Sequence, residues 1–308
     1  MILTTPLLRV LKQKHPDSVI DFIVKTQYAD VLKHNPRINR LFTIEKDYSY
    51  SGEKIPAPDV YDSILDLQNN LRSRRILRGF TGNIYRFRKH SMAKFLAVHF
   101  KKIEKLPSSP VPERYIHSFP GIEPDSEGCE FYFPDGYQLN NIENSKTIGL
   151  CPGSRHFSKQ WPIEYYTQLA KSLITDGFKV KVIGGAGDRV AGAAVQREIP
   201  EVINVCGEDD LYKIGAEMKE CAAVACNDSG LMHFATALRV PVLAIFGSTV
   251  REFGFSPYNA NHIILENNSL SCRPCSHIGL DKCPEKHFKC MKDISPSEVK
   301  QKLLELIK

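Results

Sequence analysis

Short apolar runs alternate with amphipathic stretches along the chain. Val19–Val24 (VIDFIV), Arg40–Ile44 (RLFTI), Tyr61–Leu67 (YDSILDL) and Thr147–Leu150 have the length and β-branched or aromatic content of strands. So do Val180–Ile183 (VKVI), Val202–Val205, Ala223–Cys226 and Val242–Phe246. Helical patterns lie between them. One spans about Pro6 to Lys14 and stops before His15-Pro16, because the residue preceding a proline is pushed out of the α region. A second, Ile163 to Asp176, starts after Pro162 and ends at Gly177. A third, Pro296 to Ile307, opens on Ser295 with Glu298 three residues on, a capping box, and carries Val299, Leu303, Leu304 and Ile307 as one apolar stripe. Repeated strand-then-helix order predicts an α/β protein with parallel sheets and helices on both faces.

The pattern breaks between Pro107 and Ser145, where prolines 107, 110, 112, 120, 124 and 134 mix with Gly, Asn and Ser around one short strand, Glu130–Phe133. An interdomain connection is expected there, with the boundary near residue 140. The 308 residues then divide into domains 1–140 and 141–308, two Rossmann-like doubly wound halves facing across a cleft. In such sheets ligands bind beyond the carboxyl ends of the strands, so the loops that follow strands should carry the chemistry.

Composition adds exclusions. At 42% apolar and 25% charged the chain is neither collagen-like nor disordered. The longest apolar runs fall far short of the roughly 20 residues that span a bilayer. The start, MILTTPLLRVLKQKHP, lacks a basic leader and a small-residue cleavage site, so an intracellular protein is expected. The net charge of +6 is too modest to imply a nucleic-acid partner. Its distribution is more telling: Arg72 to Lys105 holds eleven basic residues against the single acid Glu104. That stretch, with Arg72, Arg74, Arg75 and Arg78 at its head, is either a solvated face or a docking surface for an anionic partner such as a phosphorylated glycolipid.

Five of the nine cysteines are scattered singly and read as reduced thiols used as small hydrophobes. Cys272, Cys275, Cys283 and Cys290 instead form C-x2-C-x7-C-x6-C. The first pair has metal-ligand spacing, but the second half lacks the C-x-x-C of a zinc ribbon. A local structural element is expected, with a zinc or iron–sulfur site as the other reading.

Four strand-end loops are rich in glycine and polar residues. In CPGSRHFSKQWP (151–162), Gly153 and Ser154 offer backbone N–H groups, Arg155 and Lys159 offer charge, and a helix N-terminus follows: the parts of an anion site, or of an ordinary turn anchored by Trp161. GGAGDR (184–189) allows close backbone approach to a ligand, or simply a tight turn. In CNDSGLMHFATAL (226–238), Asp228, Ser229 and Gly230 enter a helix with His233 one turn on. Gly-x-Ser-x-Gly is absent and the spacing is poor for a hydrolytic triad, so a phosphate cradle suits the residues better, with Asp228 as a simple N-cap the plainer alternative. FGSTVREFGFSP (246–257) presents Gly247, Ser248 and Thr249.

Taken in order, ILTTPLLRVLKQKHPDSVIDFIV, YDSILDLQ, PGSRHFSKQWP, GG-x-x-D, NDSGLMH and PVLAIFGST resemble glycosyltransferase family 9, the lipopolysaccharide heptosyltransferases. The resemblance implies a GT-B fold whose C-terminal domain binds a nucleotide sugar, and inverting transfer of heptose from ADP-heptose to a Kdo or heptose hydroxyl of the inner core. It implies donor contacts at Ser154, Lys159, Asp188, Asp228, Ser229, Gly230 and His233, with no cofactor required. It also implies an anionic glycolipid acceptor at the membrane surface, and a cytoplasmic protein peripheral on the inner face of the cytoplasmic membrane; the sequence leaves the oligomeric state open, with a monomer favoured. Family members carry a strand and a Gly-Asp ahead of the segment that here begins at Met1, and that Asp is the expected general base. The catalytic residue is therefore expected upstream of Met1. The alternative is a catalytically weak or inactive nucleotide-sugar-binding homologue.

Overall fold

The computed structural model describes residues 1–45, 49, 60–140, 145–207 and 209–308. The chain clusters into two compact units, Met1–Ser91 with Ser109–Pro134, and Met92–Ser108 with Asp135–Lys308. The boundary expected near 140 adjoins residues 141–144, which lie outside the described residues.

The first unit opens with α1 (Thr5–Lys14) and continues through β1 (Asp21–Lys25), β2 (Arg40–Ile44), β3 (Ser63–Asp66), α2 (Leu71–Ile76) and β4 (Asn83–Arg86). The next helix, α3 (Ser91–Phe100), clusters with the second unit, and α4 (Val111–Ile116) with the first. β1 pairs with β2 and β3 with β4, each pair parallel and forming its own two-stranded sheet. Leu7 and Val10 of α1 pack with Ile116 and Ile122. The buried Arg9 guanidinium reaches Asp125 Oδ2 from Nε at 2.6 Å and Asp125 Oδ1 from Nη2 at 2.7 Å, which satisfies a charge that the apolar surroundings would otherwise penalise.

Residues 130–133 form no strand, contrary to the sequence pattern. Their polar groups turn to other partners: the Glu130 N–H donates to Thr5 Oγ1, and its carboxylate pairs with Arg9 and Arg37. The structure adds β4 and β10 (His262–Glu266), edge strands whose polar ends hide the alternation.

In the second unit β5 (Thr147–Cys151), α5 (Ile163–Thr175), β6 (Lys179–Val182), α6 (Arg189–Glu198), β7 (Ile203–Asn204), α7 (Leu211–Lys219), β8 (Ala223–Asn227), α8 (Gly230–Ala237), β9 (Val242–Phe246) and β10 alternate before α9 (Lys289–Lys292) and α10 (Pro296–Leu306). The strands form one six-stranded parallel sheet in the order β10-β9-β8-β5-β6-β7. Every residue of β5, β8 and β9 is buried, as the continuous apolar runs require of a parallel sheet covered on both faces. α5 and α10 pack together on this core through Tyr166, Leu169, Leu173, Val299 and Leu303. Gly177, at φ +85°, ends α5 as its position predicts. The chain runs outward from β5 to β7 on one side and restarts at β8 on the other. The topological switch point, where open α/β sheets bind ligands, therefore lies at the carboxyl ends of β5 and β8.

Candidate active site

The loops that leave β5 and β8 are joined by one side chain. Asn227, the last residue of β8, is fully buried. Its Nδ2 donates to Pro152 O at 2.7 Å, and its Oδ1 accepts from Trp161 N at 3.0 Å and from the Tyr166 hydroxyl at 3.2 Å. Both ends of the 152–161 loop are thereby fixed from the neighbouring strand. The Trp161 indole N–H donates to Ile294 O at 2.9 Å, so Trp161 is an anchor, as its apolar bulk suggests.

The middle of the loop is one helical turn, Phe157–Lys159. Ser158, buried, shares a 2.8 Å hydroxyl contact with Ser248 and accepts Leu280 N at 2.8 Å, which ties this turn to the loop after β9. That second loop is held in turn by buried Arg273, which donates to Gly247 O at 2.6 Å and Thr249 O at 2.8 Å and pairs with Glu266 at 2.8 Å. Lys159 emerges from this scaffold with Nζ 2.7 Å from Asp228 Oδ2, and the Thr249 hydroxyl donates to the same oxygen at 2.7 Å. Asp228 thus has one oxygen engaged by both a cation and a hydroxyl. It is not the cap of α8, and it does not meet Ser229 or His233 in a hydrolytic relay among the hydrogen bonds of the described residues.

The N-cap of α8 is Ser229, in extended backbone (φ −148°, ψ 177°), and its side chain makes no cap bond. Its Oγ is buried without a partner, and so is Nδ1 of His233, one turn into the helix. Burial pushes His233 down to about 4; Asp228 pulls its pKa up and Lys159 pushes it down, so the ring is neutral at pH 7. A Cβ built on Gly230 would meet nothing within 4 Å, so the space above the first turn of α8 is open. The start of α8 thus gathers a helix dipole, first-turn N–H groups, an unpartnered hydroxyl, a neutral imidazole and, through Asp228, the Lys159 ammonium. Groups of this kind suit an anion with several acceptor oxygens.

Asp188 joins from the β6 side. A Cβ on Gly153 would lie 2.1 Å from its Oδ1, so glycine is needed there for the carboxylate to lie on the loop backbone. Burial raises the Asp188 pKa, against a hydrogen bond from Gly185 N at 3.1 Å that lowers it. Ser154 follows in the same loop, its carbonyl accepting from Gln160 Nε2 at 2.7 Å. The four arginines are placed elsewhere: Arg72, Arg74 and Arg75 on α2 and Arg78 just beyond it, all exposed, in the first unit.

Cys272, Cys275, Cys283 and Cys290 are free thiols, and among the described residues no group of three or more His, Cys, Asp or Glu is arranged to hold a metal ion. Burial, then Cys272, pushes Cys275 up to about 11; burial, then Cys275, pushes Cys290 up to about 12. Both stay protonated at neutral pH.

Sequence reasoning passed over Asn227, Ser158 and Arg273. Asn227, a polar residue ending an apolar strand, carried a signal; Ser158 and Arg273 lie in loops and carried none, since each is buried only by the segments it joins.

The structure is similar to a glycosyltransferase family 9 protein from Veillonella parvula, with a TM-score of 0.74 and 21% identity over 99% of this chain and 93% of that one. It is also similar to the Escherichia coli ADP-heptose LPS heptosyltransferase II, with a TM-score of 0.66 and 22% identity over 100% and 95%. These likenesses assign the GT-B fold. In sequence, the lipooligosaccharide heptosyltransferase 2 of Haemophilus ducreyi is 25% identical over 100% of this chain and 96% of that protein. The model for glycosyltransferase family 9 (heptosyltransferase) matches residues 58–287, most of the chain, which therefore belongs to that family and is a glycosyltransferase.

Proposed function

We propose that the chain transfers a heptosyl unit from ADP-heptose to a Kdo or heptose hydroxyl of the lipopolysaccharide inner core, with inversion at the anomeric carbon. The observation that carries this reading is the N-terminus of α8, where the N-cap serine caps nothing and Ser229 Oγ and His233 Nδ1 are both buried and unpartnered. Buried polar atoms left unpaired cost free energy, and a ligand that pairs them recovers it.

A diphosphate supplies the missing acceptors. The N–H groups of the first turn and the Ser229 hydroxyl donate to its oxygens, a neutral His233 donates one more bond, and Lys159 supplies the charge. The acceptor hydroxyl oxygen bonds to the anomeric carbon from the face opposite the diphosphate and gives up its proton to a base. The carbon–oxygen bond to the diphosphate breaks with its electron pair going to the diphosphate, where donors already in place stabilise the charge that collects. Asp228 keeps Lys159 oriented, and Asp188, lying on Gly153, accepts a hydroxyl of the nucleotide ribose. Arg72, Arg74, Arg75 and Arg78 offer positive charge to the anionic acceptor. The reading is supported by the names of the similar proteins, one an ADP-heptose LPS heptosyltransferase and one a lipooligosaccharide heptosyltransferase.

Calorimetric titration with ADP-heptose, ADP, UDP and NAD tests the donor, and mass spectrometry of a Kdo-lipid acceptor tests transfer. ADP-heptose and ADP should bind and the acceptor should gain one heptose. Lys159→Met should weaken ADP-heptose about 100-fold, the scale of one lost charge-assisted contact in a water-poor site. Tighter binding of UDP or NAD overturns the donor reading, and an acceptor left unmodified while ADP-heptose binds overturns transfer in favour of the nucleotide-sugar-binding alternative.

A further inference from the structure

The helix α3 has two contrasting faces. One packs on the second unit: Ala97, fully buried, lies with Val250 and Phe253, flanked by Val98, Ile103, Leu106 and Phe255. The other leaves Met92 71%, Phe95 50% and Phe100 62% exposed. Met92 and Phe95 are three residues apart and so share a helix face, and the Phe95 ring lies 4.5 Å from that of His99 and 6.1 Å from that of Phe100. Large apolar side chains scattered singly on a surface need no explanation, but a contiguous group presented by one helix marks an interaction surface.

The helix is also fixed in place. Lys101, at φ +57°, ends it, and its ammonium donates to Val98 O at 2.9 Å, Cys272 O at 3.0 Å and Pro274 O at 2.8 Å. The exposed face is therefore presented on a rigid mount. Its charge is one-sided: residues 92–108 contain Lys94, Lys101, Lys102 and Lys105 against Glu104, and α3 itself contains no acid. Lys102 and Lys105 are exposed at its carboxyl end. No helix among the described residues is long and apolar enough to cross a membrane. An apolar helix face bordered by lysines fits the surface of an anionic bilayer, with the rings at the headgroup–acyl boundary and the ammonium groups among the phosphates.

We propose that α3 is the membrane-docking element of this protein, with Met92, Phe95 and Phe100 entering the interface of an anionic lipid bilayer and Lys102 and Lys105 contacting its headgroups. Val250 follows Thr249, whose hydroxyl holds Asp228, so the docked face backs directly onto a wall of the candidate active site. The inference shares with the proposed function only the idea of a lipid-linked acceptor. Vesicle binding is measured without donor or acceptor, so either proposal can fail alone.

The full chain is sedimented with phosphatidylcholine vesicles, with and without phosphatidylglycerol. Binding should be at least about 10-fold tighter to the anionic vesicles, weaken with salt, and fall about 10-fold or more in the Met92→Ser/Phe95→Ser/Phe100→Ser variant. Lys102→Glu/Lys105→Glu should remove most of the preference for phosphatidylglycerol. A Phe95→Trp variant gives a readout independent of those folds: its emission should move to the blue on binding anionic vesicles, while the buried Trp161 should not respond. Wild-type protein that ignores vesicles, a triple variant that partitions like wild type, or a Phe95→Trp emission that does not move overturns the proposal. So does a wild-type dimer abolished by the triple variant, because a second copy would then cover the face.

Discussion

Among the described residues six α-helices have Thr, Asn, Asp or Ser at the N-cap. Thr4 before α1 and Asp188 before α6 end a short 3-10 turn and do not cap, and of the four that start from extended backbone three use the side chain. At α2, Asn70 Oδ1 accepts Arg72 N at 2.9 Å and Ser73 N at 3.0 Å. At α7, Asp210 Oδ1 accepts Tyr212 N at 2.9 Å and Lys213 N at 3.1 Å. At α10, Ser295 Oγ accepts Glu298 N at 3.2 Å. At α8, Ser229 occupies the same position with the same chemistry as Ser295, yet its hydroxyl is buried and unbonded. Residue type is therefore not what separates the two serines. The capped helices satisfy their first-turn N–H groups internally. The uncapped one follows β8 at the switch point of the sheet and leaves the same groups without a side-chain cap, at the place proposed for the diphosphate. A helix start that forgoes an available cap is a stronger mark of function than a glycine-rich loop, because it costs stability where the fold had a ready remedy.

The sharpest way to break this comparison is to give both kinds of helix the same negative charge. Gly230→Asp fits sterically, since a Cβ there meets nothing within 4 Å. A carboxylate in the first turn of a ligand-free helix stabilises it by about 0.3–1 kcal/mol. At α8 the same carboxylate would occupy the place proposed for the diphosphate and repel it. The expected outcome is an unchanged or slightly higher Tm with ADP-heptose affinity down about 100-fold or more, on the scale of like charges meeting in a partly desolvated site. Ser297→Asp, exposed in the first turn of α10, should raise Tm equally and leave affinity alone. Undiminished affinity in Gly230→Asp would show that the anion binds elsewhere.

His233 distinguishes the two ends further, because it is buried as a neutral ring. Its folded pKa of about 4 lies below the unfolded value of 6.5. Between those values the unfolded chain binds a proton that the folded chain refuses, so acidification favours unfolding. Urea melts at pH 7.0 and 4.5 should show wild type losing about 2–3 kcal/mol more than His233→Gln across that interval, at about 1.36 kcal/mol per pKa unit. Equal losses would mean that folding leaves the ring's pKa unchanged and that the ring is not held in a desolvated site.

Much of this site was legible along the chain, and the limits of that legibility are physical. Lys159, Asp228, Ser229, Gly230 and His233 come together because they sit in loops that leave adjacent strands, and strand order follows from the alternation of apolar runs. The sequence could not show that Asp228 would hold Lys159 and Thr249 instead of capping α8, because both roles ask for the same carboxylate. Nor could it show the work of Asn227 and Arg273, which is to join segments far apart in the chain. Residues 130–133 misled in the opposite way. Their alternation suits a strand, but pairing is a tertiary property, and Glu130 found Arg9 and Arg37 instead. The fate of α3 was equally hidden, since an apolar helix reads the same whether its face meets a protein core or a lipid surface.

The smallest expected effect is the most direct test of the comparison, since it changes one atom in each of the two serines. Ser295→Ala removes a hydroxyl that accepts the Glu298 N–H, and loss of such a cap costs about 1 kcal/mol. Ser229→Ala removes a hydroxyl that accepts nothing and is buried at the expense of its own desolvation. Its removal should leave ligand-free stability unchanged or slightly raised. With ADP-heptose bound the order reverses. Ser229→Ala lacks a donor to the diphosphate and should gain about 1 kcal/mol less stabilisation from saturating ligand, whereas Ser295→Ala should gain as much as wild type. Parallel thermal melts with and without ADP-heptose measure all four values. If Ser229→Ala is as destabilised as Ser295→Ala without ligand, then Ser229 caps α8 in solution and the helix start is ordinary. If it is neutral without ligand and deficient with it, the missing cap is the binding site.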